Sequence, residues 1–302
     1  MEMTKSARIG YASATLCAIM VGSISTASKP VLSNTNPLMY GALVYLLAAI
    51  SSVPLSLKVR GLQIKPRDWP LVLAITASGS ILAPSLFFTG LQQTTASDTA
   101  ILSNSETIFT VLFAIIFFKE KLGARGYIAA TFVFAGVLIV TTNLQFSNFF
   151  VDLKKEGNIL IILSMACWAL DNNMSKIAAQ RIDISRLVQI KGLIGGTTLL
   201  VFAISSRIPL GITPLEIPNL LLVGLVGFGI ALYLFLHSLR RIGTVRTMLI
   251  YSTGTIFGLL FAAIFLHEQI GWYQVLAVGL MLTGIFLITG ENQDIEKATR
   301  IN

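Results

Sequence analysis

A duplication constrains this chain more than any other feature of its sequence. Residues 107–123 read TIFTVLFAIIFFKEKLG, and 148 positions later residues 255–271 read TIFGLLFAAIFLHEQIG, with ten of the seventeen letters identical. Upstream of these blocks, Lys29 recurs as Lys176 at a spacing of 147. The repeat therefore spans both halves of the chain, and any fold must be built from two similar units.

Both units are strongly apolar. Hydrophobic residues make up 54% of the chain and charged residues 12%, and the mean hydropathy is +0.78. Crossing a bilayer takes about 20 apolar residues. Ten such runs occur, and they centre on 9–28, 37–57, 70–91, 96–118, 125–142, 158–178, 187–206, 217–239, 244–266 and 272–289. The sequence thus predicts an all-α membrane protein with ten transmembrane helices, five in each repeat.

Because five is odd, the second repeat must enter the membrane inverted relative to the first. With the N-terminus inside, sixteen Lys and Arg residues fall on the cytoplasmic side, and Lys29, Lys154, Lys155 and Arg207 fall outside; Lys176 and Lys191 lie within the predicted helices and are not counted. The positive-inside rule favours this orientation. We therefore expect a multi-pass protein of the cell membrane with both termini in the cytoplasm.

The repeat also divides the chain. We assign residues 1–142 to the first repeat, 143–156 to an external linker, 157–290 to the second repeat and 291–302 to a cytoplasmic tail. Inverted repeats of apolar helices around a central site are typical of transporters, so the organisation predicts a solute pathway between the halves.

The net charge of +8 has an explanation that needs no nucleic acid. Basic residues lie in short loops beside helix ends, and no basic stripe is interleaved with exposed aromatics. Cys17 and Cys167 lie within apolar runs without metal-ligand spacing, which favours packing over a disulfide or a metal site. We expect no metal and no cofactor.

Three sequence segments carry a resemblance to a known family. They are the helix ending in Lys29, the segment WALDNNMSK at 168–176, and the pair of blocks NSETIFTVLFAIIFFKEKLG and STGTIFGLLFAAIFLHEQIG. Over residues 8–290 the chain resembles the EamA family of the drug/metabolite transporter superfamily. In the family, Gly or another residue usually precedes the Glu that follows the apolar helix of each block, and here Lys119 and His267 occupy that position before Glu120 and Glu268.

The resemblance implies alternating-access transport, usually export of metabolites or drug-like compounds from the cytoplasm. It also implies a cavity lined by the first, third, fourth, sixth, eighth and ninth helices. It does not imply a particular substrate, because relatives differ widely.

Two acids lie deep within predicted helices, where a charge is penalised by roughly 2.5 to 3.5 kcal/mol. Glu106 lies about ten residues into its helix and Asp171 about thirteen residues into its own. We predict that they bind substrate or carry a proton. Alternatively, Glu106 bonds to Asn104 or Ser105 to fix helix packing, and the polar cluster around Asp171 caps a broken helix.

Further polar and aromatic side chains suit the same cavity, although each is also explicable as packing. The candidates for substrate binding are Asn104, Trp168, Asn172, Tyr233 and Tyr251, with Phe87 and Phe88 beside them. Those for gating or charge steering are Lys29, Lys176 and His237, for which snorkelling or an interfacial position is the alternative. Lys191 is predicted to snorkel, and Glu120 and Glu268 to form gate contacts or solvated helix ends.

Enzymatic and channel functions are less compatible with the sequence. The segment from His267 to Gly271 starts like HExxH but has glycine in place of the second histidine, and no P-loop or GxSxG is present. No filter-like loop is visible.

An amphoteric small molecule such as an amino acid would suit central acids with lysines near the mouths of the cavity, and a hydrophobic or drug-like cation is the alternative. Gly136 and Gly284 allow close packing, including a possible homodimer.

Overall fold

A computed structural model describes residues 5–56, 64–118, 124–142, 156–178, 181–242, 247 and 250–301. Within these ranges the chain forms ten helices and no strand, which confirms the predicted fold class. In chain order they are α1 Lys5–Leu32, α2 Pro37–Ser56, α3 Pro66–Gln93, α4 in two segments Ala96–Leu102 and Ser105–Phe118, α5 Ala124–Thr142, α6 Glu156–Ala178, α7 Ile184–Ser205, α8 in consecutive segments Pro214–Glu216, Ile217–Leu221, Leu222–Ile230 and Ala231–Ile242, α9 Gly254–Phe265 and α10 Trp272–Ile301.

Several of these helices are long and apolar enough to cross a membrane. Among the described residues the spans that meet this criterion unbroken are Ser6–Leu32, Pro37–Pro54, Pro66–Gln93, Ile184–Ser205 and Pro214–Ser238. Two shorter apolar helices cover Ile250–Phe265 and Trp272–Gly284. A helix satisfies its own backbone hydrogen bonds, so this architecture is one that hydrocarbon permits.

The helices α3 and α8 each contain a widened turn in corresponding places. The turns are π-helical and span Ala77–Leu82 in α3 and Leu222–Ile230 in α8. Such turns leave backbone carbonyls without their usual partner and are frequent at functional sites. Pro84, which has no backbone N–H to donate, lies in the helical segment that directly follows the turn of α3.

The helix α4 is interrupted between Leu102 and Ser105, and the helical stretch Ile250–Phe265, whose larger part is α9, is interrupted at Thr253 in the corresponding place. In α4 the amide of Asn104 bonds to Ile101 O at 3.1 Å, and in α9 that of Thr253 bonds to Ile250 O at 3.0 Å. These bonds to the third preceding residue tighten the chain locally. Hydroxyl groups contribute to the break, because Thr253 Oγ1 also donates to Ile250 O at 2.6 Å and so competes with the helical pattern.

Helix packing follows the duplication. The first helix of each repeat packs on the third and fourth helices of the other repeat. Thus α1 contacts α8 and α9, and α6 contacts α3 and α4. The helices α2 and α7 pack together, as do α5 and α10, where Gly136 faces Met281. We name the group α1, α8 and α9 the first bundle and the group α3, α4 and α6 the second bundle.

Polar contacts define one end of the molecule, which we call the near end because it carries the start of α1. There Arg241 Nη1 donates to Ser6 Oγ at 3.2 Å, and Arg181 pairs with Asp68 at 3.1 Å. The contacts bring together the starts of α1 and α3 and the ends of α6 and α8. This grouping agrees with the arrangement that the charge distribution predicts.

The opposite end, which we call the far end, joins the two bundles. Gln92 Nε2 donates to Leu32 O at 2.6 Å, linking the ends of α3 and α1. Thr94 Oγ1 donates to Asn158 Oδ1 at 2.6 Å, linking the turn after α3 to the start of α6. The external linker predicted at 143–156 lies outside the described residues up to position 155.

Candidate functional site

A cavity of about 150 Å³ lies between the two bundles, and α2 and α7 complete its wall. A cavity of roughly this volume is enough to hold one benzene ring. The polar and charged side chains that line it come from seven of the helices and are Ser25, Tyr45, Ser80, Ser103, Asn104, Glu106, Asp171, Asn172, Lys191, Tyr251 and Thr255. The cavity therefore has room for a small metabolite and offers it polar partners.

Glu106 enters the cavity wall from the first turn after the interruption of α4. Its Oε1 accepts a hydrogen bond from Asn172 Nδ2 of α6 at 2.5 Å. Asn104 and Ser105 were the predicted local partners of Glu106. Ser105 Oγ donates instead to Leu102 O at 2.7 Å, and Asn104 Nδ2 has no hydrogen-bond partner among the described residues. The deep acid thus bridges α4 to α6 and does not bond within its own turn.

Asp171 forms a buried ion pair that was not among the sequence predictions. Lys191 Nζ of α7 lies 2.7 Å from Asp171 Oδ1 and 2.5 Å from its Oδ2, and Ser175 Oγ donates to Oδ1 at 2.9 Å. Both partners of the pair are buried. The alternative that Asp171 caps a broken helix is wrong, because α6 continues to Ala178.

The expectation that Lys191 snorkels to the membrane surface is also wrong. Its side chain turns into the protein because Asp171, on the neighbouring helix, supplies a counter-charge at the same depth. A sequence signal for the pair exists: each of the two residues lies about two helical turns from the connection between α6 and α7.

The widened turn of α3 supports this part of the wall. Gly79 O accepts hydrogen bonds from Tyr45 Oη at 2.7 Å and from Trp168 Nε1 at 2.9 Å. Gly79 also packs directly against the side chain of Asp171, so that a β-carbon at this position would overlap the carboxylate. The turn therefore fixes both an aromatic side chain and the ion pair.

Aromatic rings form one side of the cavity. The ring of Trp168 lies 5.1 Å from that of Phe87 and 5.9 Å from that of Phe228, measured between centroids. Tyr45 packs against Phe228 at 5.3 Å. Phe88, which the sequence placed beside Phe87, is fully buried and does not line the cavity.

The structure separates the remaining aromatic candidates. Tyr251 lines the cavity and packs against Phe235 at 5.1 Å. Tyr233 does not line it, and its ring lies 5.8 Å from that of His237. His237 Nε2 accepts a hydrogen bond from Arg241 Nε at 2.6 Å, close to the near end. These two residues are thus grouped with the end of α8 and not with the cavity.

Two polar side chains in the wall are buried without a partner. Within the part of the chain that the structure describes, Asn104 Nδ2 and Ser80 Oγ make no hydrogen bond, although the two residues are 5% and 0% exposed. A buried polar group without a partner costs about 1 to 3 kcal/mol. Both residues belong to the cavity wall, and these two atoms lie buried behind its surface.

Charged residues close the far end above the cavity. Lys29 Nζ donates to the carbonyl oxygens of Leu91, Gln92 and Thr94 at 2.7, 3.1 and 2.5 Å, and so caps the end of α3. A lysine suits the negative end of a helix. Its repeat equivalent Lys176 lies in α6, but its side chain falls outside the described part of the structure.

Glu268 makes a complementary contact at the start of α4. Its carboxylate accepts from the amides of Ala96 and Ser97, both at 2.9 Å, and from Ser97 Oγ at 2.6 Å. A carboxylate is favourable at a helix N-terminus, where the amides are otherwise unsatisfied. Glu268 therefore caps the start of α4 and is not a solvated helix end. Its repeat equivalent Glu120 lies outside the described residues.

The fold and the cavity together define a class of protein: a multi-pass integral membrane transporter. Its sequence matches the profile of the EamA-like transporter family twice, over residues 8–142 and 155–290. The chain belongs to this family. Both the duplication and the resemblance noted in the sequence are thereby confirmed.

Relatives in three organisms' proteomes are similar over most of the chain. An uncharacterized transporter of Methanothermobacter thermautotrophicus is 27% identical over 92% of this chain and 85% of its own length. The uncharacterized transporter YcxC of Bacillus subtilis is 24% identical over 83% of this chain and 82% of its own. An uncharacterized transporter of Archaeoglobus fulgidus is 22% identical over 74% of this chain and 77% of its own length.

A solved crystal structure shares the fold. It superimposes with a TM-score of 0.68 over 95% of this chain and 96% of the other, at 17% sequence identity. At this level of identity the likeness shows the fold alone.

Proposed function

We propose that the protein is a secondary active transporter that exports small amine-bearing metabolites, such as amino acids, by alternating access. The observation that carries this proposal is the position of Glu106. Among the described residues that line the cavity, it is the carboxylate without a cationic partner, since Lys191 is engaged by Asp171. A substrate ammonium or a proton would neutralise it.

Alternating access follows from the arrangement of the two bundles. At the far end the bundles are joined through Lys29 and Gln92, while Glu268 holds the start of α4. Breaking these contacts would let the bundles rock around the cavity and open it to that side. With the termini in the cytoplasm, as the charge distribution predicts, the far end faces outward and its opening releases an exported solute.

Glu106 can couple transport to protons. An acid surrounded by a medium of low dielectric constant favours its neutral form, so a proton and a substrate ammonium compete for the same carboxylate. Exchange of one for the other would drive export with the proton gradient. In this mechanism the amide of Asn172 holds the carboxylate in place while its charge is neutralised in turn by the two cations.

Hydrophobic or drug-like cations are a second candidate class. The rings of Trp168, Phe87 and Phe228 provide a wall that suits an apolar body and can contact a cation through the ring face. In addition, the amphoteric hypothesis relied on lysines near the mouths, and Lys29 is engaged by three backbone carbonyls.

We further propose that the chain acts as a transporter in the cell membrane and not as an enzyme. Membership of a transporter family supports this, as does the incomplete zinc motif at His267. The lipid bilayer and a small-molecule substrate are its expected partners. A homodimer through α5 and α10 stays a prediction.

Uptake into inside-out vesicles tests the proposal. Labelled phenylalanine and tetraphenylphosphonium are supplied with and without a pH gradient that is acidic inside, and vesicles without the protein serve as the control. We expect gradient-dependent accumulation of at least one of the two solutes. Conduction that ignores the gradient would indicate a channel, and chemical conversion of the solute would indicate an enzyme.

A further inference from the structure

The ion pair of Asp171 and Lys191 lies in the wall of the cavity, where both residues face the space a solute would occupy. The ammonium contacts both carboxylate oxygens, and Ser175 adds a hydrogen bond from within α6. The two residues are 5% and 7% exposed. The pair is therefore satisfied by the protein itself and needs no solute.

Stability alone is a weak reason for such a pair. Removing two charges from water is costly, and replacing a buried ion pair with apolar residues is often neutral or stabilising. The position of this pair in a cavity wall points to a role in binding. Its direct effect is on the charge of the cavity: Lys191 and Asp171 cancel, which leaves the charge of Glu106 uncompensated.

The pair has opposite consequences for the two ends of an amino acid. An ammonium can bind Glu106 without disturbing any existing ion pair. A carboxylate has one basic side chain available among the described residues of the wall, Lys191, and Asp171 already holds it. To reach Lys191, the solute must approach a like charge or displace Asp171 and leave it unpaired in a medium of low dielectric constant, and either is unfavourable.

The backbone is shaped to keep Asp171 in this place. The widened turn of α3 brings Gly79 against the carboxylate, and a side chain of any size there would push Asp171 away. Ser80, the next residue, belongs to the cavity wall, but its hydroxyl is buried behind the wall surface. The wall beside the pair therefore offers no second cation to a solute among the described residues, and the lysine is reserved for Asp171.

We infer that Asp171 is a specificity-determining residue that makes the cavity discriminate against carboxylates by holding Lys191. The inference rests on the proposed function, because it assumes that Glu106 binds the amine. Among solutes with the same side chain, the amine binds more tightly than the amino acid. The favoured substrate class is a small primary amine with an apolar or aromatic body.

A matched set of three probes tests this ranking on the purified full-length protein in detergent. Phenethylamine has the amine alone, phenylalanine has the amine and the carboxylate, and 3-phenylpropionate has the carboxylate alone. Dissociation constants from isothermal titration give the ratio of phenylalanine to phenethylamine. For the wild-type chain we expect this ratio to be about ten or more, because the carboxylate is excluded.

The variant Asp171→Asn keeps the shape of the side chain and frees Lys191. We expect phenylalanine to gain at least about tenfold relative to phenethylamine, because each end of the zwitterion then has an unpaired counter-charge. Binding of 3-phenylpropionate should also become measurable. An unchanged ratio in the folded variant would overturn the inference.

A second variant is needed if Asp171→Asn prevents folding by leaving the ammonium of Lys191 buried without a counter-charge. Asp171→Asn combined with Lys191→Gln removes both charges and leaves no unpaired ion. We expect the ratio to fall at least about threefold from the wild-type value, since the repelling carboxylate is gone. Retention of the wild-type ratio in this double variant would equally contradict the role of Asp171.

The outcome also separates this inference from the proposed function. If the wild-type protein binds phenethylamine, Glu106→Gln weakens that binding by about tenfold or more and Asp171→Asn leaves the ranking unchanged, only the inference fails. If the wild-type chain binds none of the three probes, the amine site at Glu106 fails, and the inference fails with it.

Discussion

Glu106 of α4 and Gly254 of α9 occupy equivalent positions of the two repeats, and each lies in the first turn after a helix interruption. A methyl group added to Gly254 would lie 3.0 Å from Ala18 O, so α9 approaches α1 through its backbone. In the other bundle the same position carries an acid that bonds to Asn172 of α6. The two repeats thus share the helix interruption at this position, but only the second bundle carries an acid there.

Replacing Glu106 with glutamine should abolish or uncouple transport without preventing membrane insertion. The amide preserves the shape and can still bond to Asn172, but it cannot bind a proton or pair with an ammonium. A hydrogen bond to a charged group contributes about 1.5 to 3 kcal/mol, so we expect amine affinity to fall roughly tenfold to a hundredfold. Uptake into vesicles and binding of phenethylamine measure the two effects.

Glu156→Gln provides the matched control for this variant. Glu156 is an exposed acid in the first turn of α6 and lies away from the cavity. Its replacement should leave both uptake and binding at the wild-type level. Full transport activity in Glu106→Gln would remove that residue from the mechanism.

Replacing Glu268 with glutamine should make the far end open more often. The carboxylate accepts from two backbone amides and one hydroxyl at the start of α4, and loss of a helix cap costs about 1 kcal/mol. This corresponds to an approximately fivefold larger population of the open state. The rate at which a membrane-impermeant maleimide modifies Cys17 from the far side measures the change, because Cys17 lines the cavity.

The labelling is done in a Cys167→Ser background, so that Cys17 is the single thiol. Gln269→Ala serves as the control, since Gln269 is an exposed neighbour of Glu268. We expect its labelling rate to equal that of the background. A rate for Glu268→Gln that is equal to or below the background would argue against a closing role for the carboxylate.

The fold was predictable because its main cause is local in the sequence. Apolar runs of membrane length and the 148-residue repeat give ten helices in two inverted copies without any knowledge of tertiary contacts. The depth of Glu106 and Asp171 could be counted along their helices for the same reason. Each of these predictions uses one helix at a time or compares equivalent positions.

The partners of these residues could not be predicted in that way. Whether Lys191 snorkels or pairs depends on which helix lies beside α7 and on how that helix is rotated, and hydropathy reports neither. The role of Gly79 depends on a widened turn that has no clear sequence signature. Tyr233 and Tyr251 are both aromatic residues in predicted cavity helices, and only helix rotation separates their positions.

Replacing Gly79 with alanine should destabilise the protein. A β-carbon at this position would overlap the side chain of Asp171, and overpacking of this kind costs about 1 to 3 kcal/mol. Gly279→Ala is the matched control, because a β-carbon there meets nothing within 4 Å, and a helical alanine is favoured by about 0.5 to 1 kcal/mol. Thermal unfolding in detergent should give a lower Tm for the first variant and an equal or higher Tm for the second. Equal values for both variants would contradict the packing of Asp171 against Gly79.

The inverted arrangement of the repeats predicts which loops share a compartment. The described part of α2 ends at Ser56, two residues before Lys58 in the sequence, and Arg240 lies near the end of α8, whereas Arg207 follows α7. The charge distribution predicts that positions 58 and 240 face the cytoplasm and that position 207 faces outward. In a chain whose two cysteines are replaced by serine, single cysteines at positions 58, 240 and 207 can be labelled with an impermeant maleimide on intact cells. We expect labelling at 207 only, and at all three positions after the membrane is permeabilised. The cysteine-free chain gives the background. Labelling of positions 58 and 240 from opposite sides would be incompatible with two five-helix repeats that cross the membrane in opposite directions.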